Sequence, residues 1–348
     1  KTPVVTIFGK TWLLHVKEVL RTTPDENIAM IADTIAFLKK NGRKVIYDAE
    51  HALDGFKDDP EYAMATWKAA EAAGADFVVL CDTNGGTLPS EVAAITATAR
   101  AQLSCPLGIH THNDGGMADA NTLTAVEGGA DHIQGTFNGL GERCGNTNLT
   151  VVIPNLLLKM DRELSINADS LPNLTHLSRF IHAIGNLNFP ENHPFVGQMA
   201  FAHKGGVHVN SVMKVADSYE HINPEMVGNS RRILISELSG KSNMSYLADA
   251  EGIDLEAHPD AARKAVEEIK ALENEGYVFE GAEASATLII LKHMGEEVEF
   301  FDLVRYRSSV EHRRDGGTFN EATVKIKVKE QEFLAVGEGV GPIDALDE

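Results

Sequence analysis

Positive charge is scarce in this 348-residue chain: 31 Lys and Arg stand against 51 Asp and Glu, for a formal net charge of −20. Neutralising phosphates needs a basic face, so nucleic acid and anionic membrane surfaces are poor partners for it. Long apolar runs are missing too, and none could span a bilayer. Only three cysteines occur, Cys81, Cys105 and Cys144, with no CxxC pair. That usage fits a cytosolic protein with reduced thiols, and Cys81, inside "FVVLCD", reads as a small buried residue. The opening "KTPVVTIFGK" has no initiator Met and no signal-peptide layout. No Gly-rich phosphate turn follows an early strand, which counts against a doubly wound nucleotide-binding sheet.

What is present is an ordinary globular composition, 43% hydrophobic and 24% charged, long enough for a large core plus appendages. Through residue 160 one rhythm repeats: a short β-branched run, a turn, then a longer amphipathic stretch. Strands are expected at 3–8, 44–50, 76–83, 106–112 and 131–137. Helices are expected at 23–42, 60–74, 89–103, 117–129 and 148–160. Thr23, Pro24 and Gly42 supply an N-cap, a first-turn proline and a C-cap for the first helix. The strands are apolar on both faces, as in a parallel sheet covered by helices. Polar residues gather at the carboxyl ends of these strands: Lys10, Glu50, Asp82 with Thr83, His110 with His112, and Asn138 onward. A (β/α)8 TIM barrel carries its chemistry there, so the fold class is α/β with about five of eight barrel units present. Beyond residue 160 helices are expected at 167–187, 259–276 and 280–295. Two or three strands and the start of a helix follow Phe300.

The segment "HTHND" (110–114) places two imidazoles at i and i+2 where a strand ends. Side chains at that spacing leave a strand on one face, where two neutral imidazoles can grip one divalent metal. The plain alternative is a polar strand exit. One unit later, "NGLGERCGNTN" (138–148) offers glycines for tight turns, Asn146 as an oxygen ligand, and Glu142 and Arg143 as an ion pair to lock the loop. Two nitrogens and one oxygen on adjacent strand ends suit Zn2+, Mn2+ or Mg2+ acting as a Lewis acid.

"HTHND", "GLGERCGN" and "FAHKGGVHVNSV" together resemble the 2-isopropylmalate, homocitrate and citramalate synthase family. "VIYDAEHALDGFKDDPEYA" and "VLCDTNGGTLP" are most similar to its citramalate branch. The resemblance implies a metal-dependent barrel enzyme, an acyltransferase joining acetyl-CoA to a 2-oxo acid. For that branch the acid is pyruvate and the product leads to isoleucine, within branched-chain amino-acid biosynthesis. It implies His110, His112 and Asn146 as metal ligands, Thr83 as a binder of the oxo-acid carboxylate, and Glu50, His208 and Tyr219 as catalytic residues. It further implies a cytoplasmic homodimer whose partners are small-molecule substrates. The expected domains are the C-terminal part of the barrel (1–160), a linker subdomain carrying His208 and Tyr219 (161–225), a helical subdomain (226–298) and the start of a regulatory domain (299–348).

One departure stands out. The family's first barrel strand ends in Asp-Arg-[Asp/Glu]-Gly, and no strand of this chain does. By rhythm the chain starts at the family's fourth strand, so a fragment of a longer product, inactive alone, is expected. A 2-isopropylmalate synthase, a related acyl-CoA lyase and a non-catalytic homologue are the alternatives.

Overall fold

The apolar runs of the first half pair side by side in chain order. In the computed structural model, which describes residues 2–234, 240–255, 257–296, 300–314 and 316–348, β1 (Val4–Lys10), β2 (Lys44–Glu50), β3 (Phe77–Asp82), β4 (Leu107–Thr111) and β5 (His132–Gln134) form one parallel sheet in that order. Helices α1 (Pro24–Lys40), α2 (Ala52–Asp58), α3 (Pro60–Ala72), α4 (Pro89–Gln102), α5 (Ala118–Glu127) and α6 (Leu149–Leu158) alternate with the strands. This is the β/α rhythm expected of barrel units.

Local chemistry sets the helix ends. Thr23 Oγ1 accepts from Glu26 N at 3.2 Å, with Pro24 at the first helical position. At the other end Asn41 takes the cap, one residue earlier than the expected Gly42, and Gly42 (φ +70°) makes the left-handed exit after it. Asp59 caps α3 by accepting from Tyr62 N, and Asn148 caps α6 by accepting from Thr150 N.

Alternation along the strands divides two environments. Val45, Tyr47 and Ala49 of β2, Val78 and Leu80 of β3, and Leu107 and Ile109 of β4 point toward the helices. There they pack with Ile31, Ile35, Trp67, Val92, Ile95 and Ala125. Each large side chain so buried is worth about 1.5–3 kcal/mol, so this outward layer holds sheet to helices. The opposite face of β2 carries Asp48 and Glu50, in line with His110 of β4 and Gln134 of β5.

The chain divides into two units, Lys1–Ala202 with Glu220–Arg232, and His203–Tyr219 with Ile233–Glu348. In the first unit, α7 (Leu174–Ile184) joins a small core of Leu171, Leu174, Phe195, Val196, Phe201 and Val227. The two-residue strands β6 (Ala202–His203) and β7 (Arg232–Ile233) lie where the chain passes between units. The second unit holds α8 (Gly206–Lys214), and α9 (Lys241–Ala250), α10 (Pro259–Asn274) and α11 (Glu283–Met294) packed around Met244, Leu247, Ile269, Phe279 and Ile290. It also holds three antiparallel strands, β8 (Asp302–His312), β9 (Thr318–Val328) and β10 (Gln331–Gly339), and the short α12 (Asp344–Asp347).

Sequence periodicity does not reveal α2, α8 or α9. Helix α2 is two turns entered through His51 at φ +54°; α8 mixes a glycine with three β-branched valines, and α9 is largely polar. All three are stabilised by packing rather than by propensity.

Candidate active site

The strands set polar side chains at one end of the sheet. Lys10 pairs in register with Glu50, Cys81 with His110, and His110 with Gln134. His110 and His112 leave β4 with ring centroids 5.1 Å apart at 67°. His110 Nδ1 lies 2.8 Å from Gln134 Oε1, and His112 Nδ1 lies 2.9 Å from the Thr83 carbonyl oxygen. Both acceptors suit a proton on Nδ1, and in a neutral ring so protonated Nε2 keeps its lone pair, the form in which imidazole binds a metal. Burial, then the neighbouring His110 and Arg143, lowers the His112 pKa, so its ring stays neutral further into the acid range.

Asn146 comes from the loop after β5. Its Nδ2 donates to the Leu140 carbonyl at 3.1 Å, which turns Oδ1 toward His110 Nε2, also at 3.1 Å. Two lone-pair atoms thus face one another. Ligands about 2.1 Å from one metal and at right angles stand about 3.0 Å apart, so the pair fits a divalent cation. Among the described residues no group of three or more His, Cys, Asp and Glu is arranged to hold a metal; this set is two imidazoles and an amide oxygen.

The two loops are laced together. Asn113 N donates to Gly145 O at 2.9 Å and Thr147 N to Thr111 O at 3.0 Å, while Asn146 N donates to Gly139 O at 3.0 Å within the second loop. Arg143 is the clasp. Its Nε and Nη2 donate to the two Asp114 oxygens at 2.7 and 2.9 Å, and Nη2 also reaches the Thr83 carbonyl at 2.7 Å. The expected Arg143–Glu142 lock is the weaker contact, at 3.7 Å with Glu142 largely exposed. A fork of donors matches the Asp114 carboxylate two-on-two, which the adjacent Glu142 cannot offer.

Thr83 Oγ1 accepts from His51 N at 2.8 Å, leaving its hydroxyl proton to donate elsewhere. Glu50 forms an ion pair with Lys10 at the ends of β1 and β2, the arrangement a purely structural role would also require. Asp82 differs from its expected place among the mouth residues: it is fully buried and accepts from Thr87 Oγ1 at 2.9 Å, tying down its own loop. His208, on α8, and Tyr219 belong to the second unit, where their rings stack at 4.3 Å and 28°.

Three features escape the sequence reading. Asp48 accepts from Gln134 Nε2 at 2.8 Å, extending the His110 chain by one link. Its i, i+2 spacing to Glu50 was the available signal; nothing local marked Gln134. The Arg143–Asp114 clasp crosses two loops. Trp12, His15 and His51 form a ring cluster with centroids 4.2–5.6 Å apart beside Glu50.

Three family descriptions cover nearly all of the chain. HMGL-like matches residues 1–180. The chain belongs to the HMGL-like family. Its TIM-barrel fold is represented here by the five-stranded parallel sheet. Homocitrate synthase post-HMGL domain-like matches 195–277, and the LeuA allosteric (dimerisation) domain matches 280–348. This HMGL-like chain is 48% identical over 349 residues to the (R)-citramalate synthase of Aquifex aeolicus, which covers 100% of the chain and 66% of that relative. It is 47% identical over 345 residues to the (R)-citramalate synthase of Geobacter sulfurreducens, with 99% and 65% covered. A probable 2-isopropylmalate synthase of Methanosarcina mazei is 31% identical over 330 residues, with 94% and 61% covered. The chain thus spans about 65% of the length of the citramalate synthases it matches. Among the described residues no helix is long and apolar enough to cross a membrane.

Proposed function

We propose that this chain is part of a citramalate synthase, a cytoplasmic acyltransferase that joins acetyl-CoA and pyruvate, with water, to give citramalate and free CoA for isoleucine biosynthesis. His110, His112 and Asn146 hold one divalent metal: Zn2+, Mn2+ or Mg2+. The observation that carries this is His110 Nε2 set 3.1 Å from Asn146 Oδ1, with the other polar atom of each side chain committed elsewhere. A bound divalent cation there supplies Lewis acidity toward the keto oxygen of the oxo acid.

The chain's own residues do the rest. Thr83, its oxygen already accepting from His51 N, donates its hydroxyl proton to the oxo-acid carboxylate. Lys10 fixes the position of Glu50, which then presents a carboxylate to the substrates. A methyl group beside a thioester is a weak carbon acid, and deprotonating it needs a positioned base. His208 serves that proton transfer, and the stacked Tyr219 donates to a substrate oxygen. The enzyme is a homodimer in which His208 and Tyr219 act on the partner's barrel; the match to a dimerisation domain supports the dimer.

Identity of 43–48% to five citramalate synthases, against 31% to the Methanosarcina mazei relative, supports pyruvate over 2-oxoisovalerate. In a thiol-release assay of the complete enzyme pyruvate is expected to show the higher kcat/KM. A preference for 2-oxoisovalerate overturns the substrate and indicates a 2-isopropylmalate synthase. Metal analysis of the His110→Ala, His112→Ala double variant should show the metal lost, and unchanged content overturns the metal site.

A further inference from the structure

We propose that Asp48 is a positioning residue: through Gln134 it sets which nitrogen of His110 carries the proton, and so keeps Nε2 bare. The inference rests on the metal-site reading for its purpose but not for its geometry. Asp48 sits on β2, on the same face as Glu50, and its Oδ1 is 2.8 Å from Gln134 Nε2. An ionised carboxylate can only accept. The Gln134 amide must therefore turn its NH2 toward Asp48 and its oxygen toward His110 Nδ1, which lies 2.8 Å away. An oxygen there requires Nδ1–H, and a neutral ring with Nδ1–H has a lone pair on Nε2. That lone pair meets Asn146 Oδ1, itself turned inward by the Leu140 carbonyl.

Without the carboxylate the Gln134 amide loses its orientation. Either end can then face His110, the ring can place its proton on Nε2, and a proton on Nε2 blocks the cation. Burial raises the Asp48 pKa and donation from Gln134 works against that rise, so one hydrogen bond both steadies the carboxylate and directs the relay. Outer partners of this kind alter metal affinity by about 10–100-fold.

The test has two readouts on the full chain. The first is the 15N spectrum of the His110 ring in metal-free protein at mildly alkaline pH. The unmutated protein should show Nδ1–H. Asp48→Leu and Gln134→Leu should shift the ring toward Nε2–H, while Asp48→Asn, which can still present an oxygen to Gln134, should retain Nδ1–H. The second is Zn2+ affinity by competition with a chelating dye. The two leucine variants should weaken it by about 10–100-fold and Asp48→Asn should stay close to the unmutated protein. Thermal unfolding of each variant separates lost folding from lost orientation. An unchanged tautomer in folded Asp48→Leu overturns the proposal, whether or not affinity falls. If the unmutated protein binds no Zn2+, the metal reading fails while the tautomer readout still decides the relay.

Discussion

Replacing Gly145 by alanine should damage the site without unfolding the protein. Gly145 has φ +92°, and a Cβ built on it would stand 2.0 Å from the Gly139 carbonyl oxygen. The left-handed backbone costs an L-residue about 1–2 kcal/mol. The clash cannot be relieved by a side chain, because the obstacle is backbone. Gly139 O also accepts from Asn146 N at 3.0 Å, so turning the carbonyl away forfeits about 1 kcal/mol more. The total is about 2–3 kcal/mol, set against a typical global stability of about 5–15 kcal/mol. The fold therefore survives and the loop opens, carrying Asn146 Oδ1 away from His110 Nε2. Zn2+ affinity should fall at least about tenfold, equivalent to 1.4 kcal/mol. The control is Gly86→Ala, where nothing lies within 4 Å of the added Cβ and stability should hold within about 0.5 kcal/mol. Urea unfolding and dye competition measure both. A G145A protein within about 0.5 kcal/mol of the unmutated one, with unchanged Zn2+ affinity, would refute the reasoning.

Leu80 is fully buried between sheet and helices, so Leu80→Ala should cost about 2–5 kcal/mol in urea unfolding; a loss under about 1 kcal/mol would contradict the packing. Donation from Arg143 holds the Asp114 carboxyl below its ordinary range. The pair's contribution is therefore complete above about pH 4 and fades as pH falls through the depressed value. Asp114→Asn should cost at most about 1 kcal/mol at neutral pH, since the pair is partly exposed, and the difference should vanish in strong acid; a difference that grows as pH falls reverses the sign argued here. If His208 acts on the partner's barrel, mixing subunits of two inactive full-length variants, one changed at His110 and one at His208, should restore roughly a quarter of the unmutated full-length activity, because half the dimers are mixed and each has one intact site. No recovery, with exchange confirmed by mass, rules out the crossing.

Periodic and local features were legible in the residues alone. The span 44–50 reads as a strand because a short run opened by the β-branched Val45 and Ile46 lies between turn signals, and it is β2 to the residue. Thr23-Pro24 announces the start of α1 because an N-cap acts within three residues. The H-x-H spacing places two imidazoles side by side because strand geometry has a period of two. Choice of partner was not legible. Asp48 and Gln134 are 86 residues apart, and only the register of β2 through β5 brings them together. Arg143 takes Asp114, 29 residues away, over its neighbour Glu142, because loop geometry supplies the two-pronged match. Asp82 reads as a mouth residue from its place at a strand end, yet the turn after β3 folds Thr87 back onto it. Sequence periodicity carries the direction in which a side chain leaves its own element; what it meets depends on elements distant in the chain, and that is decided only when the sheet and its loops assemble.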